Sequence, residues 1–160
     1  MRAPVVTTTY TRLDHLQRTM NALLKNDLAG ETPVFVYSDA ARCGDEAKVE
    51  AVRAYLATVR GFSEFYIVAR DHNMGSVPNG VSAVSEVAEK YGVVISIEDD
   101  VVTAPGFLRY MNSALEKYRF DYRVFSVSGY CPPIPIPKSA LRIRKVVKFG
   151  ANPDSTSINE

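Results

Sequence analysis

The sequence predicts an α/β fold, a mainly parallel sheet flanked by helices within a single domain. Three observations predict it. Short β-branched runs alternate with amphipathic stretches through the first 130 residues. Cap and turn residues separate the two kinds of segment. And 160 residues with 46% apolar and 23% charged side chains suffice for one buried core.

Pro4-Val5-Val6-Thr7-Thr8-Thr9 is the first strand. Beyond the plausible caps Thr11 and Asp14, Leu13, Leu16, Met20, Leu23 and Leu24 recur at helical spacing. Breakers between Asn26 and Pro33 end that helix, and Val34-Phe35-Val36-Tyr37 forms the next strand, closed by Ser38-Asp39. Gly44-Asp45-Glu46 opens a second helix with Val49, Val52, Leu56 and Val59 on one face, stopped by Gly61. Glu64 to Ala69 is a third strand, and Arg70 to Gly80 reads as a turn-rich loop.

Val81, Val84, Val87 or Ala88, and Tyr91 line the next helix, which ends at Gly92. Val93 to Ile97 is short, continuous and apolar, as a strand covered on both faces would be. Pro105 suits the first turn of a fourth helix carrying Phe107, Leu108, Met111, Leu115 and Tyr118. Val124 to Val127 is expected to be a fifth strand. Residues 1–133 therefore make up the α/β domain. Residues 134–160 form an extension that is first Pro-rich, then basic, and ends in a small, polar, frayed tail.

The composition also excludes classes of function. Nineteen basic and eighteen acidic side chains give a net charge of +1, so no overall field favours nucleic acid. No apolar run approaches the ~20 residues of a membrane span, and the first residues lack the pattern of a signal peptide. Cys43 and Cys131 are too few for a disulfide scaffold and lack metal-type spacing. These features predict a cytoplasmic, reduced protein. The first strand–helix loop has no glycine, which removes both the dinucleotide GxGxxG and the P-loop, and no GxSxG elbow exists.

In open α/β sheets, ligands bind beyond the carboxyl ends of the strands. Those ends carry Thr9-Tyr10-Thr11-Arg12, then Ser38-Asp39, then Arg70-Asp71-His72-Asn73, then Glu98-Asp99-Asp100. Adjacent carboxylates repel unless solvent separates them or a cation neutralises them. Alternation at a strand end directs Glu98 and Asp100 to one side and Asp99 to the other. Hard oxygens of this kind suit magnesium or manganese held jointly with substrate phosphates. Arg12 can engage phosphate oxygens bidentately, and Asp39 can accept hydrogen bonds from a base or ribose. His72 lies in Asp71-His72-Asn73-Met74-Gly75, read as a flexible loop able to close over a nucleotide.

Together these residues resemble the GT-A fold of nucleotide-sugar glycosyltransferases, in texture nearest the N-acetylglucosaminyltransferase I-like branch and similar bacterial sugar transferases. The resemblance runs from about Pro4 to Pro133. Its most specific part is Ile97-Glu98-Asp99-Asp100-Val101-Val102 leading to Pro105-Gly106-Phe107, in register with the preceding βα units; Val127-Ser128-Gly129-Tyr130 resembles the strand leading toward the acceptor. It implies a DxD-type motif with Asp100 as the ligand of Mn2+ or Mg2+. Glu98 and Asp99 would contact ribose, sugar or metal-bound water, and Arg12 the diphosphate. Thr9, Asp39 and His72 complete the implied nucleotide site. The implied reaction transfers sugar, with inversion, from a UDP- or GDP-sugar to a saccharide or glycolipid acceptor.

The chain departs from that family after Tyr130, where only about 30 residues follow. Their acids are Asp154 and Glu160, and no catalytic base can be identified among them. On this reading the chain is truncated, or a partner chain completes the site. Lys138 to Lys148 gathers five positive charges without an acid, fitting a basic edge strand or peripheral contact with anionic lipid. Two other functions stay open: an inert nucleotide-sugar-binding module, and a nucleotidyltransferase on the same kind of sheet.

Overall fold

Four parallel strands lie in the order β3-β2-β1-β4 in a computed structural model that describes residues 2–130. They are β1 (Val5–Thr9), β2 (Pro33–Ser38), β3 (Glu64–Ala69) and β4 (Ile95–Ser96). The intervening helices are α1 (Leu13–Leu24), α2 (Glu46–Leu56), α3 (Ser76–Tyr91) and α4 (Phe107–Lys117), with a single 3-10 turn at Ala29–Glu31. The chain builds outward from β1 to β3, then returns to the other side of β1 for β4. The strand order therefore reverses between β1 and β4, where the rule for open sheets locates a ligand.

Alternation along the strands divides the core in two. Val5, Val34, Val36 and Ile95 face a layer containing Leu16, Met20 and Leu23 of α1, Val52 and Leu56 of α2, and Leu108 and Met111 of α4. Val6, Phe35 and Tyr37 face the opposite way, onto Ala83 and Val87 of α3. Both central strands are covered on both faces, which accounts for their unbroken runs of β-branched and aromatic residues. The outer strand β3 is more exposed, with Tyr66 and Ile67 in contact with solvent.

Several expectations need correction. Helix α3 begins at Ser76, so the turn-rich loop covers only residues 70–75. Pro78 is compatible with this because the first helical turn has no partner for a backbone N–H there. The buried face of α3 is Asn79, Ala83, Val87 and Ala88, while Val81 is turned to solvent. The fourth strand shrinks to Ile95–Ser96, with Val93 exposed. Pro105 precedes α4 rather than lying in its first turn.

Among the described residues there is no fifth strand. Residues 124–130 are held by side-chain packing instead of a ladder: Val124 is buried, Gly129 lies against the Phe107 ring, and the Tyr110 hydroxyl donates to the Ser128 carbonyl at 3.2 Å. A two-residue β4 offers little edge for another strand to pair with. Cys131, the proline run, the basic segment at 138–148, Asp154 and Glu160 lie outside the described residues.

Candidate functional site

Arg12, at the entry to α1, meets the acidic triplet after β4 across the point where strand order reverses. Its Nη1 donates to Asp100 Oδ2 at 3.0 Å and its Nη2 to Asp99 Oδ1. The neighbouring Asp99 and Asp100 carboxylates raise the guanidinium's pKa, Asp99 most strongly, with burial acting in the opposite direction. Burial alternates along the triplet, with Asp99 buried and Glu98 and Asp100 exposed, but the expected pairing of Glu98 with Asp100 on one side is not seen: Arg12 gathers Asp99 and Asp100 instead. Asp99 is further fixed because its backbone carbonyl accepts the Thr19 hydroxyl of α1 at 2.8 Å.

Thr9 closes β1 immediately before this loop. Its side chain is buried, and among the described residues Thr9 Oγ1 has no hydrogen-bond partner. Most buried hydroxyls are satisfied. This one lies at the carboxyl end of β1, next to Asp39, whose backbone N–H donates to the Thr9 carbonyl at 3.0 Å.

Asp39 is buried, and both of its carboxylate oxygens hold backbone. Oδ1 accepts the N–H groups of Ala40 and Met74, and Oδ2 accepts that of Gly75. Asn73 adds a bond from Nδ2 to the Ala40 carbonyl, and Arg42 Nε donates to Asn73 Oδ1. The 71–75 loop, read from the sequence as flexible, is thus anchored to the end of β2. The sequence reading missed this anchoring because Asp39 and Gly75 meet only in three dimensions. His72 is exposed on the loop. The structure therefore gathers Thr9, Arg12, Asp99 and Asp100 at one strand edge, sets Asp39 beside them in a supporting role, and leaves Glu98 and His72 at the solvent side.

Two arginines that the sequence reading did not single out brace this edge. Arg53 of α2 donates from Nε to Ser38 Oγ and from Nη2 to the carbonyls of Ser38, Asp39 and Arg70, tying the ends of β2 and β3 together. Arg70, the first residue after β3, reaches Asn79, Ser82 and Glu86 of α3 and lies over the Tyr37 ring. Its place directly after a strand was the available signal.

The edge is open to solvent. A groove between α1 and residues 102–105, lined in part by Arg18, Lys25 and Val102, includes none of the site residues named above. Among the described residues no group of three or more His, Cys, Asp or Glu side chains is placed to cage a metal ion. This donor set still fits magnesium or manganese, which are commonly held by one or two carboxylates together with substrate phosphates and water. Asp100, with its side chain 35% exposed, is the accessible carboxylate for that purpose.

No protein-family model matches the chain, and no curated protein does. Its fold does match solved structures. S. aureus TarS superposes with a TM-score of 0.52 at 18% identity over 87% of this chain. S. aureus TarS 1-349 gives 0.55 at 18% identity over 87%. The Pyrobaculum calidifontis mannosyltransferase PcManGT, solved with GDP-Man and Mn2+, gives 0.52 at 16% identity over 78%. The chain spans 24%, 39% and 34% of those three chains respectively. The four-stranded parallel sheet and its flanking helices thus share the GT-A-like α/β fold of these structures.

Proposed function

We propose that this chain binds a nucleoside-diphosphate sugar at the carboxyl edge of β1 and β4 and belongs to a glycosyltransferase that passes the sugar to a saccharide or glycolipid hydroxyl. The observation that carries the reading is the convergence of Arg12, Asp99 and Asp100 where strand order reverses. A fold neighbour solved with GDP-Man and Mn2+ supports the donor class and the cation. When bound, a divalent cation would offset the charge of the departing diphosphate. Asp100 would hold it, Arg12 would meet phosphate oxygens, and the Thr9 hydroxyl would bond to the nucleotide. Glu98 and His72 would contact the ligand from the solvent side.

The acceptor side, the base that deprotonates the acceptor hydroxyl, and inversion at the anomeric carbon belong to the same proposal. So does placement at the cytoplasmic face of a membrane, with the basic segment at 138–148 resting on anionic lipid. The Glu-Asp-Asp run followed by Pro105 and Phe107 favours the N-acetylglucosaminyltransferase I-like branch within this reading.

Calorimetric titration with UDP and with GDP, each with manganese and with chelator, tests the donor site. Manganese-dependent binding of one nucleotide is expected, and Asp100→Asn should weaken it by about 1–3 kcal/mol. The fold should survive that change, because Asp100 lies at the solvated end of the edge. A folded chain that binds neither nucleotide under either condition overturns the proposal.

A further inference from the structure

We propose that Arg12 is a resident counter-ion that occupies the metal-binding carboxylate until a diphosphate arrives, and so makes cation and nucleotide bind as a coupled pair. The inference rests on the nucleotide-sugar reading and adds to it a means of regulating the site.

The two arms of the Arg12 fork differ. One reaches Asp99, whose side chain is only 6% exposed and whose backbone is pinned by Thr19. The other reaches Asp100, 35% exposed, at 3.0 Å. Arg12 itself is half exposed, so water and ligands have access to the outer arm. Asp99 thus acts as the anchor, and the contact with Asp100 is the exchangeable one.

A divalent cation that arrives alone meets an unfavourable site. It has to displace Nη1 from Asp100 and then sit beside a guanidinium that Asp99 keeps in place. Like charges at that distance repel, and the displaced N–H groups gain only water. A nucleoside diphosphate changes both conditions. Its oxygens accept the freed Nη1 as a charge-assisted partner, and its negative charge separates guanidinium from cation. Arg12 then turns its outer arm from Asp100 to phosphate while its inner arm stays on Asp99. Because linkage is reciprocal, whatever factor the nucleotide adds to cation affinity, the cation adds to nucleotide affinity.

The test follows Mn2+ by electron paramagnetic resonance, with MnCl2 alone and with UDP or GDP, in the native chain and in Arg12→Met. In the native chain the nucleotide should raise Mn2+ affinity by at least about fivefold. In Arg12→Met, Mn2+ alone should bind several-fold tighter than in the native chain, and the factor the nucleotide adds should be smaller than in the native chain, since only the direct cation–phosphate contact is left to couple them. Arg12→Met leaves Asp99 buried without its partner, so the double variant Arg12→Met/Asp99→Asn is measured beside it, with folding checked by circular dichroism.

The inference is overturned, with the donor-site reading intact, if the native chain binds Mn2+ cooperatively with nucleotide but neither variant binds Mn2+ alone more tightly. Full Mn2+ affinity in the native chain without nucleotide also overturns it. Absence of Mn2+ binding in every form, with or without nucleotide, removes both the donor-site reading and this inference.

Discussion

Gly75 donates its backbone N–H to Asp39 Oδ2 at 2.9 Å, joining the start of α3 to the end of β2 across 36 residues of sequence. Ala40 and Met74 supply Oδ1, so one buried carboxylate organises three backbone donors. Gly75 has φ +82°, a conformation that side chains resist, which places its N–H at the end of the loop. Asp39→Ala strands those donors and should cost about 2–4 kcal/mol in urea unfolding, with faster hydrogen exchange at Met74 and Gly75. An unchanged exchange rate at both amides would refute the anchoring role.

Thr9 provides a separate test of what its hydroxyl is for. A buried hydroxyl without a partner among the described residues is a liability to the fold. Thr9→Val should therefore leave stability unchanged or raise it by about 1 kcal/mol, while nucleotide affinity falls by a similar amount. A loss of stability on this substitution would mean that the hydroxyl serves the fold.

Tyr37 predicts an alkaline weakness. Burial, reinforced by Glu86 and opposed by Arg70, pushes its hydroxyl up to about 12. The unfolded tyrosine titrates near 10, so below that pH both states keep the proton and the group adds no pH dependence. Between about pH 10 and 12 the unfolded chain releases its proton first, and stability should fall by up to about 1.4 kcal/mol per pH unit. Urea midpoints across this range should decline less steeply in Tyr37→Phe than in the native chain.

Gly129 tests how residues 124–130 are held. A Cβ at this position would lie 2.5 Å from Cε2 of Phe107 and 3.2 Å from its Cδ2. Gly129→Ala should cost about 1–2 kcal/mol in thermal or urea unfolding, because the Phe107 ring would have to move within a packed cluster. No loss of stability would mean that the segment parts from α4 without penalty.

The central strands and the stripes of α1, α2 and α4 were legible because each is a local pattern. Val5 and Val6, Val34 to Tyr37, and Leu16, Met20 and Leu23 declare their period within a few residues. The start of α3 was not, because Pro78 and Gly80 carry loop signals that the register of the whole helix overrides. The expected strand at Val124 to Val127 has strand-like composition, but the β4 edge open to further pairing is only two residues long. The meeting of Arg12 with Asp99 and Asp100 was approached through a topological rule, since no local pattern links residues 87 and 88 positions apart. The anchoring of the 71–75 loop by Asp39 had no such rule behind it, because Asp39 meets Met74 and Gly75 only through the fold.

The anchoring of the 71–75 loop has a consequence for rates. Lifting the loop away would break the two charge-assisted contacts of the Met74 and Gly75 N–H groups to Asp39 together with the Asn73 bond to Ala40. Such openings are rare excursions, so His72 rides on a platform that is already formed when a ligand arrives. Capture at this edge should then proceed without a closing step of that loop. Its on-rate should be set by encounter and by the exchange of the outer arm of Arg12, and should therefore vary with salt.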